Sequence, residues 1–426
     1  MSARDDCFAF AERRIPHDEA IALLRSLPHP VGETEFVSLF EAAGRIVAAP
    51  AHAPRPIPAH TNAAVDGFAF AFADYDAANG TRFALSARVA AGQGSASAPR
   101  GTAARIFTGA IMPDGFDTVA MQEDCMAVES GDAVVIPGGL KQGANRRLAG
   151  EDVQEGAVIA QPGDRLRPQD IAALATAGLA RITCYRRPRV IAFSSGDEVI
   201  RPGEPFRPGA VYDANATMLA ALLAPTGASI TDGGVLPDDA TAVRSALERA
   251  AAGYDLIITS GGASLGEEDH VVTSLRGLGA LSLWQLAIKP GRPMGVGRIG
   301  DAIVLALPGN PVAVFVCALL YVWPVLMALA GSPWREPRRL TFPAAFSIGK
   351  RKLGRREFFR GWLAHGENGL AAEKYPRDGS GLISSLRAAE GLIDIPEDVT
   401  SIAQGDPVQF IPLTEFGILP PTPRHA

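Results

Sequence analysis

The chain has 426 residues, 47% of them hydrophobic and 20% charged, enough to bury large cores and, at roughly 150 residues per domain, to divide into about three. With 40 basic residues against 46 acidic ones the net charge is −6, which supplies no global basic field for nucleic acid or for an anionic membrane surface. Cys7, Cys125, Cys184 and Cys317 are scattered, with no CxxC pair and no nearby histidine cluster, so a reducing cytoplasm is expected and a zinc site is not.

The N-terminal MSARDDCFAFAERR is charged throughout and lacks the apolar core and cleavage site of a signal peptide, so no export is implied. Asp18 to Ser26 reads as a short amphipathic helix and Glu35 to Ala49 as another, with Leu39, Ala42, Ile46 and Val47 at helical spacing. The proline-rich AAPAHAPRPIPAHTN then ends helix formation and opens a new unit. From Phe68 to Val135 short apolar runs alternate with Gly, Asp and Pro, the pattern of an inserted β-rich domain. Strand, turn and helix return after Ala149, where Arg167-Pro168-Gln169-Asp170 opens an Ala-rich helix that ends at Gly178. The expected division is a discontinuous N-terminal or linker domain over 1–52 and 153–186, with the β-rich insertion at 53–152.

From Arg187 to Ala330 strands alternate with helices: Val190–Phe193, Asp255–Thr259 and Ile303–Leu307 are extended, and Ala214–Leu223 and Val243–Ala251 helical. That alternation predicts a three-layer α/β domain over 187–334 with a mostly parallel sheet, whose ligands bind at the carboxyl ends of its strands. Val312 to Gly331 carries no charge over a length that suits a bilayer span. Pro324 interrupts it and no second span accompanies it, so a buried helix is expected and no membrane partner. After Arg335, LTFPAAF, EFFRGWL and PVQFIPL indicate a small C-terminal β domain over 335–426.

Four polar loops end the strands of the α/β unit: SSGDEV, SGGASLGEED, KPGRP and PGNPVA. The second, with Gly261 and Gly262 for tight turns and Ser260 and Ser264 as hydroxyl donors, reads either as a phosphate-holding loop or as an ordinary Gly-rich turn. Lys289 is a site cation or a solvated one, and Asp269 a functional carboxylate or a helix cap. Asp238-Asp239 reads locally as a turn and N-cap, and His270 is given no catalytic role. Together the loops combine hydroxyl and N–H donors, the cations Lys289 and Arg292, and the carboxylates Asp197, Glu198 and Asp269. Such a mixture suits a phosphorylated ligand with a divalent cation bridging its oxygens.

NAAVDGFAF (Asn62–Phe70), RIFTGAIMP (Arg105–Pro113), SGGASLG with Asp269, and KPGRP followed by LPGNPVA stand in an order that resembles the molybdopterin molybdenumtransferase family. The resemblance covers nearly the whole chain, although the SGGxSxG loop alone is shared with molybdopterin adenylyltransferases. A non-catalytic scaffold on the same fold is a further alternative, against which the retained carboxylates argue. The family implies an elongated homodimer with its site between subunits, and a Mg²⁺-assisted reaction of adenylylated molybdopterin with molybdate that yields molybdenum cofactor and AMP. Other enzymes of molybdenum cofactor biosynthesis are its implied partners.

By motif, the resemblance implies catalytic positions at Asp66, Thr108, Asp152, Glu198, Asp238 and Asp269, with Glu198 and Asp269 at the metal. Ser260, Gly261, Gly262, Ser264 and Gly266 would hold the pterin phosphate, and Lys289 and Arg292 molybdate or phosphate. Pro308 and Pro311 of PGNPVA, and Arg355, Arg360 and Ser380 of the last domain, complete the implied substrate surface. The chain departs from the family at Val65 and Phe68, at Gln285, at Arg292 for lysine, and at Ala313 after PGNPV, changes expected to adjust the anion pocket.

Overall fold

The structure, a computed structural model, describes residues 14–94, 96–262, 270–366 and 369–421. Its centre is a seven-stranded sheet in the order Ser229–Leu236, Arg189–Ser195, Leu256–Ser260, Ala302–Leu307, Pro293–Ile299, Ala280–Leu286 and Arg14–Ile15. The middle strands are apolar on both faces, as a sheet covered by helices on both sides requires. Only Pro293–Ile299 runs against the others, pairing antiparallel with both of its neighbours. Leu219, Leu222 and Leu223 of helix Asn215–Leu223 cover one face together with the segment Pro311–Leu329. Val243 and Leu247 of helix Ala240–Ala251, and Val271 and Leu275 of helix His270–Leu278, cover the other.

Pro311–Leu329 is the one described segment long and apolar enough to cross a bilayer, and 89% of its most apolar window is buried inside the protein. It comprises helix Pro311–Cys317, a π-helical turn Ala318–Val322 and helix Trp323–Leu329. Pro324 offers no N–H to the turn before it, and the widened turn falls there. The segment is thus the central core helix.

Residues 14–27 belong to this central core. Ile15, Ala20, Ile21, Leu24 and Leu27 pack in its main apolar cluster, and Arg14–Ile15 pairs with the strand Ala280–Leu286. The amphipathic helix His17–Arg25 buries its stripe there, with His17, Ala20, Ile21 and Leu24 inward. The segment expected as a second helix, Glu35 to Ala49, is instead the strand Thr34–Ser38, a 3₁₀ turn Leu39–Glu41 and an irregular stretch. Its partner is Arg181–Tyr185, antiparallel and far along the chain. Pairing with a remote strand, which local periodicity cannot register, overrides the helical spacing. Val37, Leu39, Ala42 and Val47 then pack with Ala160, Leu166, Leu174 and Ile182, so both ends of the β-rich insertion return to one small core.

The insertion is a six-stranded sheet in the order Thr118–Met121, Gly67–Phe70, Thr102–Ile106, Thr81–Val89, Ala133–Ile136 and Met126–Ala127. At the other end of the chain, Leu340–Pro343, Arg356–Gly366, Gly369–Lys374, Gly391–Ile395 and Pro407–Pro412 form the C-terminal sheet. One of its strands comes from the α/β unit: Ile288–Lys289 pairs in parallel with Arg356–Glu357. That pairing ties the KPGRP loop to the last domain.

Candidate functional site

The sheet order changes direction between Arg189–Ser195 and Leu256–Ser260. From the former the chain moves outward to Ser229–Leu236, then crosses back to Leu256–Ser260 on the other side. At such a reversal the loops diverge and leave a crevice at the carboxyl ends of the strands. Ser194 and Ser260 are buried there with their hydroxyls 3.2 Å apart. Gly261 follows with φ +91°, and a Cβ on it would stand 2.8 Å from the Ser195 carbonyl oxygen. The two strand ends therefore approach as closely as backbone allows.

A cavity of about 670 Å³ opens from this crevice, lined by Ser194, Glu198, Asn215, Asp238, Ser260, Gly261, Gly262 and Pro311 among others. Glu198 and Asp238 are exposed at its wall. The Asp238 amide donates to the Asp197 carboxylate at 3.1 Å, and the Asp197 amide to the Asp238 carboxylate at 3.3 Å, which locks the two acidic loops together. Asp239 caps the following helix by accepting from the Ala242 amide at 2.7 Å, so within the pair Asp238-Asp239 the capping role falls to the second residue and leaves Asp238 at the cavity. Asn215 donates to the Gly309 carbonyl at 2.8 Å, and its own side-chain oxygen is buried without a partner.

A second cavity, about 640 Å³, adjoins the first and shares Gly262, Gly309 and Asn310 with it. Lys289, Arg292, Pro308, Arg355, Arg360 and Ser380 all line it. The parallel pair Ile288–Lys289 on Arg356–Glu357 brings the cations together from two domains. Gly291, with φ +109°, turns the loop where a Cβ would meet the Cys317 sulfur at 2.5 Å.

Charges in this cavity are held by neighbours. Glu357 is buried and accepts from Arg355 at 2.8 Å, with Lys289 Nζ at 4.0 Å and Arg351 at 3.5 Å. Arg360 is 5% exposed and donates to Ser385 Oγ at 3.0 Å and to the Gly379 carbonyl at 3.2 Å. Burial lowers its pKa, against the pull of Asp378; a desolvated guanidinium bonded only to neutral groups stands ready for an anion.

The remaining expected residues lie elsewhere. Asp66 and Thr108 come together in the β-rich insertion: the Thr108 amide and hydroxyl each donate to Asp66 Oδ1 at 2.8 Å. Those two bonds, the amide's first, hold the Asp66 carboxyl below the ordinary carboxylate range. Asp152 is exposed, and its amide donates to the Ile57 carbonyl at 3.1 Å. These three residues line neither cavity within one chain. Ser264, Gly266 and Asp269 lie outside the described residues. Among the described residues no group of three His, Cys, Asp or Glu side chains stands close enough to hold a metal ion by itself.

The structure adds Ser194, Asn215, Glu357 and Asp378 to the two cavities' immediate surroundings. Ser194 stands within SSGDEV, and Asp378 two residues before Ser380, both places already marked in the sequence. Asn215 and Glu357 carry no local signal, since their places follow from strand pairing and helix packing.

The comparisons with known proteins cover the same architecture. Residues 15–178 match the MoeA N-terminal region (domain I and II), 191–328 a probable molybdopterin binding domain, and 343–413 the MoeA C-terminal region (domain IV). The chain is 33% identical over 397 residues to the molybdopterin molybdenumtransferase of Haemophilus influenzae, covering 92% of this chain and 97% of that one. It is 31% identical over 412 residues to the Bacillus subtilis enzyme of the same name, covering 94% of each. Among solved structures, the molybdopterin biosynthesis moeA protein of Pyrococcus horikoshii OT3 superposes with a TM-score of 0.81 at 30% identity, over 94% of this chain and 100% of that one. With relatives matched from end to end and the α/β crevice joined to a cationic cavity, the chain belongs to the molybdopterin molybdenumtransferase family.

Proposed function

We propose that this protein inserts molybdenum from molybdate into adenylylated molybdopterin, releasing AMP and forming molybdenum cofactor. The observation that carries the reading is the pair of adjoining cavities, one rich in Ser, Gly and carboxylate groups and the other cationic, sharing Gly262, Gly309 and Asn310. Molybdate is a tetrahedral dianion, and Lys289, Arg292, Arg355 and Arg360 supply the charge and directed donors that such an ion requires. The Ser194 and Ser260 hydroxyls at the strand ends face the same cavity as Gly261 and Gly262 and offer donors to the phosphate of the pterin, while the Gly261 amide is already given to the Leu307 carbonyl at 3.1 Å. Transfer then depends on holding the oxyanion beside the reacting end of the pterin, a matter of positioning and charge stabilisation.

Mg²⁺ fits the first cavity by the chemistry of its donors. Glu198, Asp238 and the unpartnered Asn215 side-chain carbonyl are oxygen donors among its lining residues, and Mg²⁺ is commonly held by one or two carboxylates plus substrate phosphates. When bound, the ion would neutralise phosphate charge as AMP departs. Asp269 is assigned to the same role by its motif. Asp66, Thr108 and Asp152, remote from the cleft of their own chain, are assigned to the cleft of a second copy in a homodimer, and Phe40, 99% exposed, offers apolar surface for association. We place the protein in the cytoplasm, alongside other enzymes of molybdenum cofactor biosynthesis.

The test is to supply purified protein with adenylylated molybdopterin, Mg²⁺ and molybdate and to follow AMP. Molybdate-dependent AMP release and formation of active cofactor are expected, with Glu198→Gln abolishing both while the fold is kept. Absence of molybdate-dependent release would overturn the assignment.

A further inference from the structure

One carboxylate stands inside the cationic cavity where a bound oxyanion would be expected. Asp378 lines that cavity, accepts from Lys374 Nζ at 2.9 Å and lies 3.8 Å from Lys289 Nζ. Arg360 faces it at longer range. Its side chain is 51% exposed, unlike Glu357, which is buried and fixed among Arg351, Arg355 and Lys289. Displacement is open to the Asp378 side chain itself, which reaches solvent from the loop before Gly379. The backbone that follows is pinned to the core, because the Ser380 carbonyl accepts from the Val312 amide at 3.0 Å and the Gly379 carbonyl from Arg360 at 3.2 Å. The half-exposed carboxylate thus projects from a loop whose following backbone is held in place.

We propose that Asp378 is the resident counter-ion of the anion cavity, pairing Lys289 and Lys374 until an oxyanion displaces it toward solvent. The inference rests on the cavity being the oxyanion site. An empty cluster of cations attracts any small anion in its surroundings; a built-in carboxylate satisfies them at high effective concentration and sets a threshold that an adventitious ion does not pass. On displacement Lys289, which lines the cavity, transfers its donors to the incoming oxygens, while Lys374 keeps its bond to the Tyr375 carbonyl and Ser380, its backbone held by Val312, keeps its place on the wall.

Displacement and fixed repulsion differ in their dependence on ligand charge. Moving Asp378 aside costs the same free energy whatever enters, so its removal should tighten a monoanion and a dianion by one common factor. A carboxylate that stays in place would repel a dianion twice as strongly as a monoanion, and its removal would then favour the dianion by the square of the monoanion's gain. Molybdate and perrhenate, tetrahedral oxyanions of charge −2 and −1, provide the two probes.

Isothermal titration of the full-length protein with each ion, in the wild type, Asp378→Asn and Lys289→Ala, decides the matter. We expect Asp378→Asn to tighten both ions by about fivefold, the upper range for one half-exposed ion pair, with their affinity ratio unchanged. Unchanged or weakened binding in Asp378→Asn overturns the proposal, as does a gain confined mainly to molybdate. Lys289→Ala tests the underlying reading separately: if it leaves molybdate binding intact, the cavity is not the oxyanion site.

Discussion

His17 Nδ1 lies 2.9 Å from the Tyr321 hydroxyl, joining the first described helix to the π-helical turn of the core segment. On its other side Nε2 faces the Arg339 guanidinium at 3.3 Å. Arginine only donates, so Nε2 accepts and the imidazole is neutral, with its proton on Nδ1 toward Tyr321. Burial first, then Arg356 and Arg339 against the opposing pull of Asp394 and Asp18, lowers its pKa to about 4. In the unfolded chain the ring takes up a proton near pH 6.5; in the folded protein it does not until about pH 4. Stability is therefore unaffected above pH 6.5 and falls as pH drops from there toward 4, by about 3 kcal/mol in full. Chemical denaturation at several pH values should show this slope, and His17→Gln should flatten it; an equal slope in the variant would exclude the assignment.

Asp255 makes a second, separate acid transition. It accepts from Arg186 at 2.7 and 2.8 Å and from the Arg189 amide at 2.7 Å, a fork that joins the N-terminal unit to the start of a central strand. Burial would raise this carboxyl, but Arg186 and the amide prevail and hold it below the ordinary range. Its contribution is present above the unfolded value of 3.8 and is lost as pH falls through the lower folded value. Asp255→Asn should cost about 2 kcal/mol at neutral pH and remove the low-pH portion of the denaturation profile without changing the portion owed to His17.

Thr108 should matter to chemistry more than to folding. Its hydroxyl and amide both bond to Asp66 on an exposed surface, so Thr108→Val removes one donor and leaves the other. The Asp66 carboxyl should move part of the way back toward its ordinary range, readable by NMR titration, and turnover should fall roughly tenfold with thermal stability unchanged. Normal turnover would remove the pair from the assigned machinery.

The parts of this fold legible in sequence are those whose signals are local. Ile257 and Ile258, or Val304 and Leu305, declare buried strands by unbroken apolar runs, and Gly178 marks a helix end with φ +85°. Ser229–Leu236 is a polar edge strand and Pro293–Ile299 is interrupted by glycine; neither reads as a strand until its neighbours are present. The same holds in the site. Lys289, Arg292 and Ser260 are announced by Pro and Gly around them, whereas Glu357 acquires its place only when Lys289 pairs beside it across two domains. A short parallel bridge of that kind has no pattern of its own.

Gly261 tests how far the crevice depends on backbone alone. Alanine there meets two costs: a left-handed φ of +91°, and a Cβ 2.8 Å from the Ser195 carbonyl oxygen at the end of the adjacent strand. Gly92 isolates the first, since its φ is +83° and nothing described lies within 4 Å of a built Cβ. Gly92→Ala should cost about 1 kcal/mol, and Gly261→Ala about 1 to 3 kcal/mol more as the strand ends separate. Because Ser194 and Ser260 line the same crevice, that separation should also weaken adenylylated molybdopterin binding, whereas Gly92→Ala should leave it unchanged. Equal stability losses in the two variants would show that the strand ends can part freely, and the close approach at Gly261 would then have no role in shaping the crevice.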